Sequence, residues 1–217
     1  MTIPVVQPLF IIISGTPGVG KSTVSCRLAR RMGLDLLDLN RWLLSEGLVI
    51  EFDDLRKTYV IDLESARIRF SEFKPANPTI VEGHLAHLVV PVDYVRLAFI
   101  VRCHPAILAR RLVSLGYPAR KVLENIEAEL LGVCVEEAID IYGSNLVYEV
   151  DNSSRSIDST VEEMVCILSG RSEGSERIDW FSRLLDEGIL DKVLLAIESM
   201  DLRFLEGILN LYGDRNI

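Results

Sequence analysis

The sequence has no closely spaced cysteine pair. Its four cysteines, Cys26, Cys103, Cys134 and Cys166, lie far apart, and none belongs to a C-x-x-C motif. Such pairs are the usual signature of structural zinc sites and dithiol redox centres. Their absence therefore favours buried, reduced thiols in an intracellular protein over a disulfide scaffold or a redox enzyme.

Long apolar runs are also missing. The most apolar stretch near the start, residues 9–13, is far shorter than the ~20 residues that a membrane-spanning helix needs. It also lacks the basic flank and the small-residue cleavage site of a secretory signal. The sequence predicts no membrane segment and, by elimination, a cytoplasmic location.

Positive charge is scarce, with 23 Lys and Arg against 32 Asp and Glu and a net charge of −9. A field of this sign repels polyphosphate backbones, so tight general binding to naked RNA or DNA is not expected, although a local basic patch stays open. The 217 residues are 49% hydrophobic and 25% charged. This composition excludes disordered, collagen-like and coiled-coil chains, and it fits one domain with an appendage or two small domains.

Short apolar runs alternate with helical patterns through the first 170 residues. Strands are predicted at residues 9–14, 34–37, 79–82, 95–101 and 146–150. Helices are predicted at residues 22–32, 105–116, 118–142 and 159–168, and residues 41–73 are mostly helical with an interruption near 47–54. This alternation predicts an α/β fold with a five-stranded parallel sheet and helices on both faces.

The composition changes at residues 169–176, a small, polar and charged stretch that is typical of a linker. Three helical patterns follow, at residues 178–186, 189–198 and 202–212, and Trp180, Phe181, Leu184 and Leu185 give the first an apolar face. The tail is too short for a large core of its own. We therefore predict a main domain, residues 1–170, and a C-terminal helical extension, residues 177–217. The extension docks either on the main domain or on a partner.

The strongest motif is GTPGVGKS at residues 15–22, which matches G-x-x-x-x-G-K-[ST] between an apolar strand and a helix. Gly15, Gly18 and Gly20 allow a tight turn whose backbone N–H groups face phosphate oxygens. The helix N-terminus adds partial positive charge. Lys21 can reach the β- and γ-phosphates, and Ser22 can offer its hydroxyl to Mg²⁺. The motif predicts a nucleoside-triphosphate site.

Two features point to a class within the P-loop proteins. The sequence has no N-K-x-D motif, which counts against a GTPase that reads guanine. Its length, with a modest segment after the second predicted strand and a short excursion near residue 116, suits a small-molecule kinase.

Several motifs together resemble one family. They are TPGVGKST at residues 16–23, EGH at 82–84, RLVSLGY at 111–117, Lys121, and ENI at 124–126. They resemble the adenylate kinase isoenzyme 6 family, the atypical adenylate kinases of archaea and the eukaryotic nucleus, which are also implicated in assembly of the small ribosomal subunit. The resemblance covers residues 9–168 and leaves the C-terminal extension unexplained.

The resemblance implies a P-loop nucleoside monophosphate kinase domain with a monophosphate-binding insert at about residues 38–73 and a lid at about residues 110–124. It implies that ATP donates its γ-phosphate to AMP to give two ADP, with Mg²⁺ bound to the triphosphate. Carried over by position, the residues that hold ATP phosphates and magnesium are Gly15, Gly18, Gly20, Lys21, Ser22 and Thr23.

The resemblance also suggests residues opposite the triphosphate. Arg41 is either an AMP-binding arginine of the insert or a solvated surface residue, and Asp38 beside it is either part of that site or a helix cap. Glu82 stands where the family has aspartate, as a magnesium-ordering acid or a strand-end carboxylate that caps a turn. His84 either positions the attacking group or is a core histidine, and His87 is expected to be structural.

The predicted lid departs from the family, because the usual Arg-Gly-Tyr is Leu-Gly-Tyr at residues 115–117. A lid arginine neutralises charge on the transferring phosphoryl group and contributes several orders of magnitude in rate. Arg110, Arg111, Arg120 and Lys121 are close enough in sequence to substitute for it. Arg111 is the catalytic candidate, and its alternative is a solvent-facing arginine.

Two other functions stay open on the sequence alone. One is an ATPase with little AMP dependence that acts in ribosome assembly and binds a basic small-subunit ribosomal protein. The other is a kinase for a different small acceptor, such as dephospho-coenzyme A or another nucleoside monophosphate.

Overall fold

A computed structural model describes residues 10–54, 58–174 and 176–207. Its strands are β1 (Phe10–Ser14), β2 (Asp35–Asp38), β3 (Val49–Asp53), β4 (Thr58–Ile61), β5 (Thr79–Glu82), β6 (Val95–Arg102) and β7 (Val147–Asp151). Five of them form a parallel sheet in the order β2-β5-β1-β6-β7, and β3 pairs with β4 as a separate antiparallel hairpin. The predicted five-stranded parallel sheet is confirmed.

Helices connect and cover these strands. They are α1 (Lys21–Met32), α2 (Leu39–Ser45), α3 (Leu63–Ser71), α4 (Ala86–Val89), α5 (Pro105–Ser114), α6 (Ala119–Leu130), α7 (Val133–Tyr142), α8 (Ile157–Leu168), α9 (Trp180–Asp186) and α10 (Leu190–Ser199). Two short 3₁₀ helices lie at Val92–Tyr94 and Leu202–Leu205. The predicted helix at residues 202–212 is described only to residue 207, and its remainder lies outside the described residues.

The prediction of one continuous helix over residues 118–142 was wrong. Gly132 adopts φ 67° between the end of α6 and the start of α7, which begins at the next residue. The left-handed region is readily available to glycine and costly for other residues. This break brings the face of α7 with Cys134 and Glu137 toward His87, which follows β5.

The insert between β2 and β5 contains two strands that were not predicted. Helices α2 and α3 match the predicted helical character, but the interruption between them is the hairpin of β3 and β4. Its strands are rich in β-branched and aromatic residues, which favour extended backbone. Across the hairpin the rings of Phe52 and Tyr59 lie 5.1 Å apart, centre to centre, and both side chains are exposed.

The core lies on both faces of the sheet, and β1 shows why its sequence is continuously apolar. Ile11 and Ile13 belong to the cluster beneath α1, α5, α6 and α8, whereas Phe10 and Ile12 belong to the cluster beneath α2, α3 and α4. A central parallel strand is buried on both sides and needs no polar alternation.

The C-terminal extension packs against the main domain. Trp180, Leu184, Ile189 and Val193 are buried in the same cluster as the helices on the α5 and α6 side of the sheet. Of the two docking surfaces that the sequence left open, the structure therefore shows the first. Among the described helices, none combines the length and apolar character required to cross a bilayer.

Candidate active site

The GTPGVGKS loop runs from the carboxyl end of β1 into α1, whose first two residues are Lys21 and Ser22. Gly15 and Gly20 have φ values of 135° and 99°. A Cβ on Gly15 would lie 2.3 Å from the carbonyl oxygen of Val101, and one on Gly20 would lie 2.5 Å from Asn152 Nδ2. Glycine is therefore required at both positions by backbone conformation and by space, and the loop has the tight turn that a phosphate cradle needs.

Lys21 is buried within this loop. Its Nζ donates a hydrogen bond to the carbonyl oxygen of Thr16 at 3.0 Å. Burial lowers the pKa of Lys21, and the nearby Glu82 carboxylate opposes that effect. An anion bound in the loop would favour the charged ammonium further. Ser22 and Thr23 follow on the exposed side of the first helical turn, where their hydroxyl groups are accessible.

Glu82 lies at the end of β5, the strand beside β1, and is in register with Ile13. Its Oε1 accepts a hydrogen bond from Ser22 Oγ at 3.2 Å. Burial raises the pKa of Glu82, whereas Lys21 and Ser22 act to lower it. A hydroxyl and a carboxylate side by side form an oxygen donor set of the kind that Mg²⁺ prefers, so these residues fit the ion that the family implies.

His84 lies two residues after β5 and is half-buried. Burial, with a contribution from Lys21, lowers the pKa of His84 to about 4. The ring is therefore neutral near pH 7, and it can exchange hydrogen bonds with a substrate but cannot neutralise phosphate charge. Its backbone carbonyl accepts a hydrogen bond from Ser14 Oγ at 3.2 Å, which ties this turn to β1.

His87 is buried and held from both sides. Its Nδ1 lies 2.7 Å from Ser14 Oγ, and its Nε2 lies 2.9 Å from Glu137 Oε2. Cys134 completes a group whose potential ligand atoms lie within 4.8 Å of one another. Because both ring nitrogens already have hydrogen-bond partners, this group is explained as a structural network that joins α7 to β1.

Acid is expected to destabilise the fold through the histidines. The pKa values of His84, His87 and His104, which are all three histidines of the chain, are lowered mainly by burial. In the unfolded chain they titrate near pH 6.5, so the unfolded state binds more protons below that pH and stability falls as the pH drops from 7 toward 4.

Urea unfolding at pH 7.5 and pH 5 measures this effect. We expect His84→Gln to reduce the loss of unfolding free energy between these pH values by about 1 to 2 kcal/mol relative to the unaltered protein. An identical loss in both proteins would show that His84 does not contribute.

The loop is supported from behind by a carboxylate that the sequence analysis missed. Glu129 is 1% exposed, and its Oε2 accepts a hydrogen bond from Thr16 Oγ1 at 2.6 Å. Its Oε1 accepts from Arg102 Nε at 2.7 Å and from the Cys103 backbone N–H at 3.0 Å. Arg102 also pairs with the buried Glu149. A signal was present, because Glu129 lies beside Leu130 on the buried face of α6, where a carboxylate requires a partner.

Arg111 supports the loop as well. Its guanidinium donates to the backbone carbonyl oxygens of Val19 at 3.2 Å, Asn152 at 2.9 Å and Ser153 at 2.8 Å. Asn152 Nδ2 donates to the same Val19 oxygen at 2.9 Å. Arg111 is thus anchored to the phosphate loop and to the segment after β7, rather than pointing into solvent.

Arg41 and Asp38 lie at the rim of this edge. Asp38 ends β2 in register with Glu82, and its carboxylate accepts a hydrogen bond from the Arg41 backbone N–H at 3.1 Å, capping α2. The Arg41 Nε lies 3.3 Å from Asp38 Oδ2, and the Arg41 side chain is 88% exposed. The helix-cap alternative for Asp38 is therefore observed, and Arg41 is available to a ligand at the rim.

The predicted lid is the turn between α5 and α6. Leu115 is 66% exposed there, and Gly116 has φ 76°. Lys121 stands in the first turn of α6, with its Nζ 4.9 Å from the centre of the Tyr117 ring. Burial lowers the pKa of Lys121, while the carboxylates of Glu124 and, to a smaller extent, Asp53 at the end of β3 act to raise it.

Comparison with known proteins agrees with this arrangement. A family model described as "AAA domain" matches residues 11–132. A shikimate kinase from Bacteroides thetaiotaomicron, 20% identical, has a similar fold with a TM-score of 0.51, covering 74% of this chain and 98% of its own. That likeness concerns the fold alone.

Two archaeal relatives are named "Putative adenylate kinase". The protein from Methanocaldococcus jannaschii is 36% identical over 81% of this chain and 95% of its own length. The protein from Methanothermobacter thermautotrophicus is 39% identical over 74% of this chain and 90% of its own length. With this identity over most of both chains, the chain belongs to the archaeal adenylate kinase family that these relatives represent.

Proposed function

We propose that this protein transfers the γ-phosphoryl group of ATP to AMP and forms two ADP. One observation carries the proposal: Lys21, Ser22 and Glu82 meet in a glycine-rich phosphate cradle. The rim of the same sheet edge presents Arg41 on the insert. Membership of the adenylate kinase family supports AMP as the acceptor.

The reaction needs little covalent chemistry from the protein. The AMP phosphate is already an anionic nucleophile, so catalysis rests on alignment of donor and acceptor and on neutralisation of developing charge. Lys21 supplies charge at the β- and γ-phosphates, and Arg41 binds the AMP phosphate. His84, which is neutral, acts as a hydrogen-bonding group beside the transferring phosphoryl. Arg111 keeps the loop in shape through its backbone contacts.

Magnesium would be held by Ser22 and Glu82, and when bound it neutralises charge on the phosphate oxygens. The segments about residues 38–73 and 110–124 act as insert and lid, which close over both nucleotides and exclude water. Lys121 takes the place of the family lid arginine, since it is a half-buried cation in the first turn of α6, beside Tyr117. In this proposal residues 1–170 form the catalytic domain, and residues 177–217 are its extension.

The decisive test is the dependence of ADP formation on AMP. We expect ADP formation from Mg-ATP to rise at least about tenfold when AMP is added, because an acceptor phosphate held in line outcompetes water. A panel of other nucleoside monophosphates and dephospho-coenzyme A, each replacing AMP, checks acceptor specificity. A rate that is indifferent to AMP would contradict the kinase and favour an ATPase. A stronger response to another acceptor would reassign the substrate.

The ATPase alternative has one supporting observation. The net charge of −9 favours a basic protein partner over naked RNA, as a role beside a basic small-subunit ribosomal protein would require. Both that partner and the cytoplasmic location stay predictions, and the AMP test separates the two activities.

A further inference from the structure

The C-terminal extension reaches the phosphate loop through one buried carboxylate. Trp180, the first residue of α9, is 1% exposed, and its indole Nε1 donates a hydrogen bond to Glu129 Oε1 at 3.0 Å. The other oxygen of Glu129 accepts the hydroxyl of Thr16 at 2.6 Å. The backbone carbonyl oxygen of Thr16 in turn accepts a hydrogen bond from Lys21 Nζ. Two hydrogen bonds therefore connect the extension to the loop, and a third leads to its lysine.

Other polar contacts of the extension meet the same edge of the sheet. Glu187 Oε2 lies 3.0 Å from His104 Nε2, two residues beyond the end of β6. Arg183 Nη1 lies 3.6 Å from Asp151 Oδ2, at the end of β7. Parallel strands place their carboxyl ends together, so these contacts hold α9 against the edge that carries the phosphate loop.

The Glu129 carboxylate is suited to couple the position of Trp180 to that of Thr16. A buried carboxylate is strongly disfavoured unless its oxygens accept hydrogen bonds, so its donors fix its orientation closely. At Oε1 these donors are Arg102, the Cys103 backbone and Trp180, and Thr16 binds at Oε2. Loss of the indole donor would leave the carboxylate paired but less tightly oriented, and its bond to Thr16 would change with it.

We propose that Trp180 is a positioning residue, which fixes Thr16 and the phosphate loop through Glu129, so that the C-terminal extension sets the affinity of the loop for ATP. This inference rests on the ATP site of the proposed function and is independent of the acceptor.

The test measures the dissociation constant of ATP by titration calorimetry on the full chain. We expect Trp180→Phe, which keeps the apolar ring and removes the N–H donor, to weaken ATP binding about three- to tenfold. Thr16→Val, which leaves the extension intact, should weaken it similarly. The double variant should bind ATP no more weakly than the weaker-binding of the two single variants, because both substitutions break the same chain of contacts.

Leu184→Ala is the matched control. Leu184 is buried in the same helix and packs in the same cluster, so its truncation destabilises the extension without removing a hydrogen bond to Glu129. At a temperature where circular dichroism shows every variant folded, its ATP affinity should equal that of the unaltered protein.

A second readout follows Trp180 itself. The chain has two tryptophans, so Trp42→Phe leaves Trp180 as the sole indole emitter. If Trp180 is coupled to the loop, its emission should change on addition of ATP, with a midpoint at the calorimetric dissociation constant.

The outcomes separate this inference from the proposed function. An unaltered protein that does not bind ATP would overturn both. Binding by the unaltered protein with equal affinity in Trp180→Phe would overturn the inference alone. Equal weakening in Leu184→Ala, or strictly additive effects of Trp180→Phe and Thr16→Val, would show that the extension acts only through overall stability.

Discussion

Replacing Lys21 by alanine is expected to lower the rate of ADP formation from ATP and AMP by at least about a hundredfold, the usual effect of removing a group that neutralises transition-state charge. Lys21 Nζ is held inside the phosphate loop by the Thr16 carbonyl oxygen, 3.0 Å away. The ammonium is partly desolvated, so its interaction with a phosphate is stronger than in water. Coupled measurement of ADP at saturating ATP and AMP gives the rate.

Two further variants make this result specific. Lys21→Met preserves most of the apolar volume of the side chain, so equal loss of activity would assign the effect to the charge rather than to packing. Lys192→Ala removes an exposed lysine on α10 and should leave the rate unchanged. Near-normal AMP-dependent turnover in a folded Lys21→Ala protein would contradict the site assignment.

Replacing Arg102 by methionine is expected to lower the free energy of unfolding by about 3–5 kcal/mol, more than any other substitution proposed here. Arg102 is buried between Glu129 and Glu149 and donates to both carboxylates. Methionine would fill much of the space but leave two buried carboxylates without their shared cation. The free energy of unfolding in urea at pH 7.5 measures the loss.

The comparison variant is Arg27→Met, which breaks an exposed ion pair on α1. The Arg27 side chain is 54% exposed, and its Nε lies 2.6 Å from Asp158 Oδ1. Exposed pairs of this kind contribute little because water screens them, so no measurable change is expected. Adding Glu129→Gln and Glu149→Gln to Arg102→Met should recover part of the stability. Equal stability of Arg102→Met and Arg27→Met would refute the role of the buried network.

The strands and the phosphate loop could be predicted because their signals are local. The run at residues 9–14 is apolar at nearly every position, as a doubly buried strand requires, and it ends directly in GTPGVGKS. Gly33 and Pro105 mark the end of α1 and the start of α5, where backbone preference and structure agree. In each case a few neighbouring residues determine the conformation.

The support behind the loop could not be predicted in the same way. Thr16 and Glu129 are 113 residues apart, and Trp180 is a further 51 residues away. Their meeting depends on the order of strands in the sheet, which no local pattern specifies.

The hairpin of β3 and β4 was missed for another reason. Its residues favour strands, but they lie between two helices, so the helical spacing on both sides favoured a mostly helical segment with a short interruption. For Arg111 the sequence alone could not decide between a solvent-facing position and the active site, because its backbone carbonyl partners are distant in the sequence.

The position of β1 in the sheet has a consequence for how the chain acquires its fold during synthesis. Phe10 pairs with Thr79 on one side and Val95 on the other, so β1 has no lateral partner in this sheet until about 70 further residues have been synthesised. Asn152, which binds the Val19 carbonyl, arrives later still. Long-range parallel pairings of this kind form slowly. The residues of the nucleotide cradle are thus synthesised before the strands and the asparagine that support them, and the cradle is completed only after those later segments have joined the sheet.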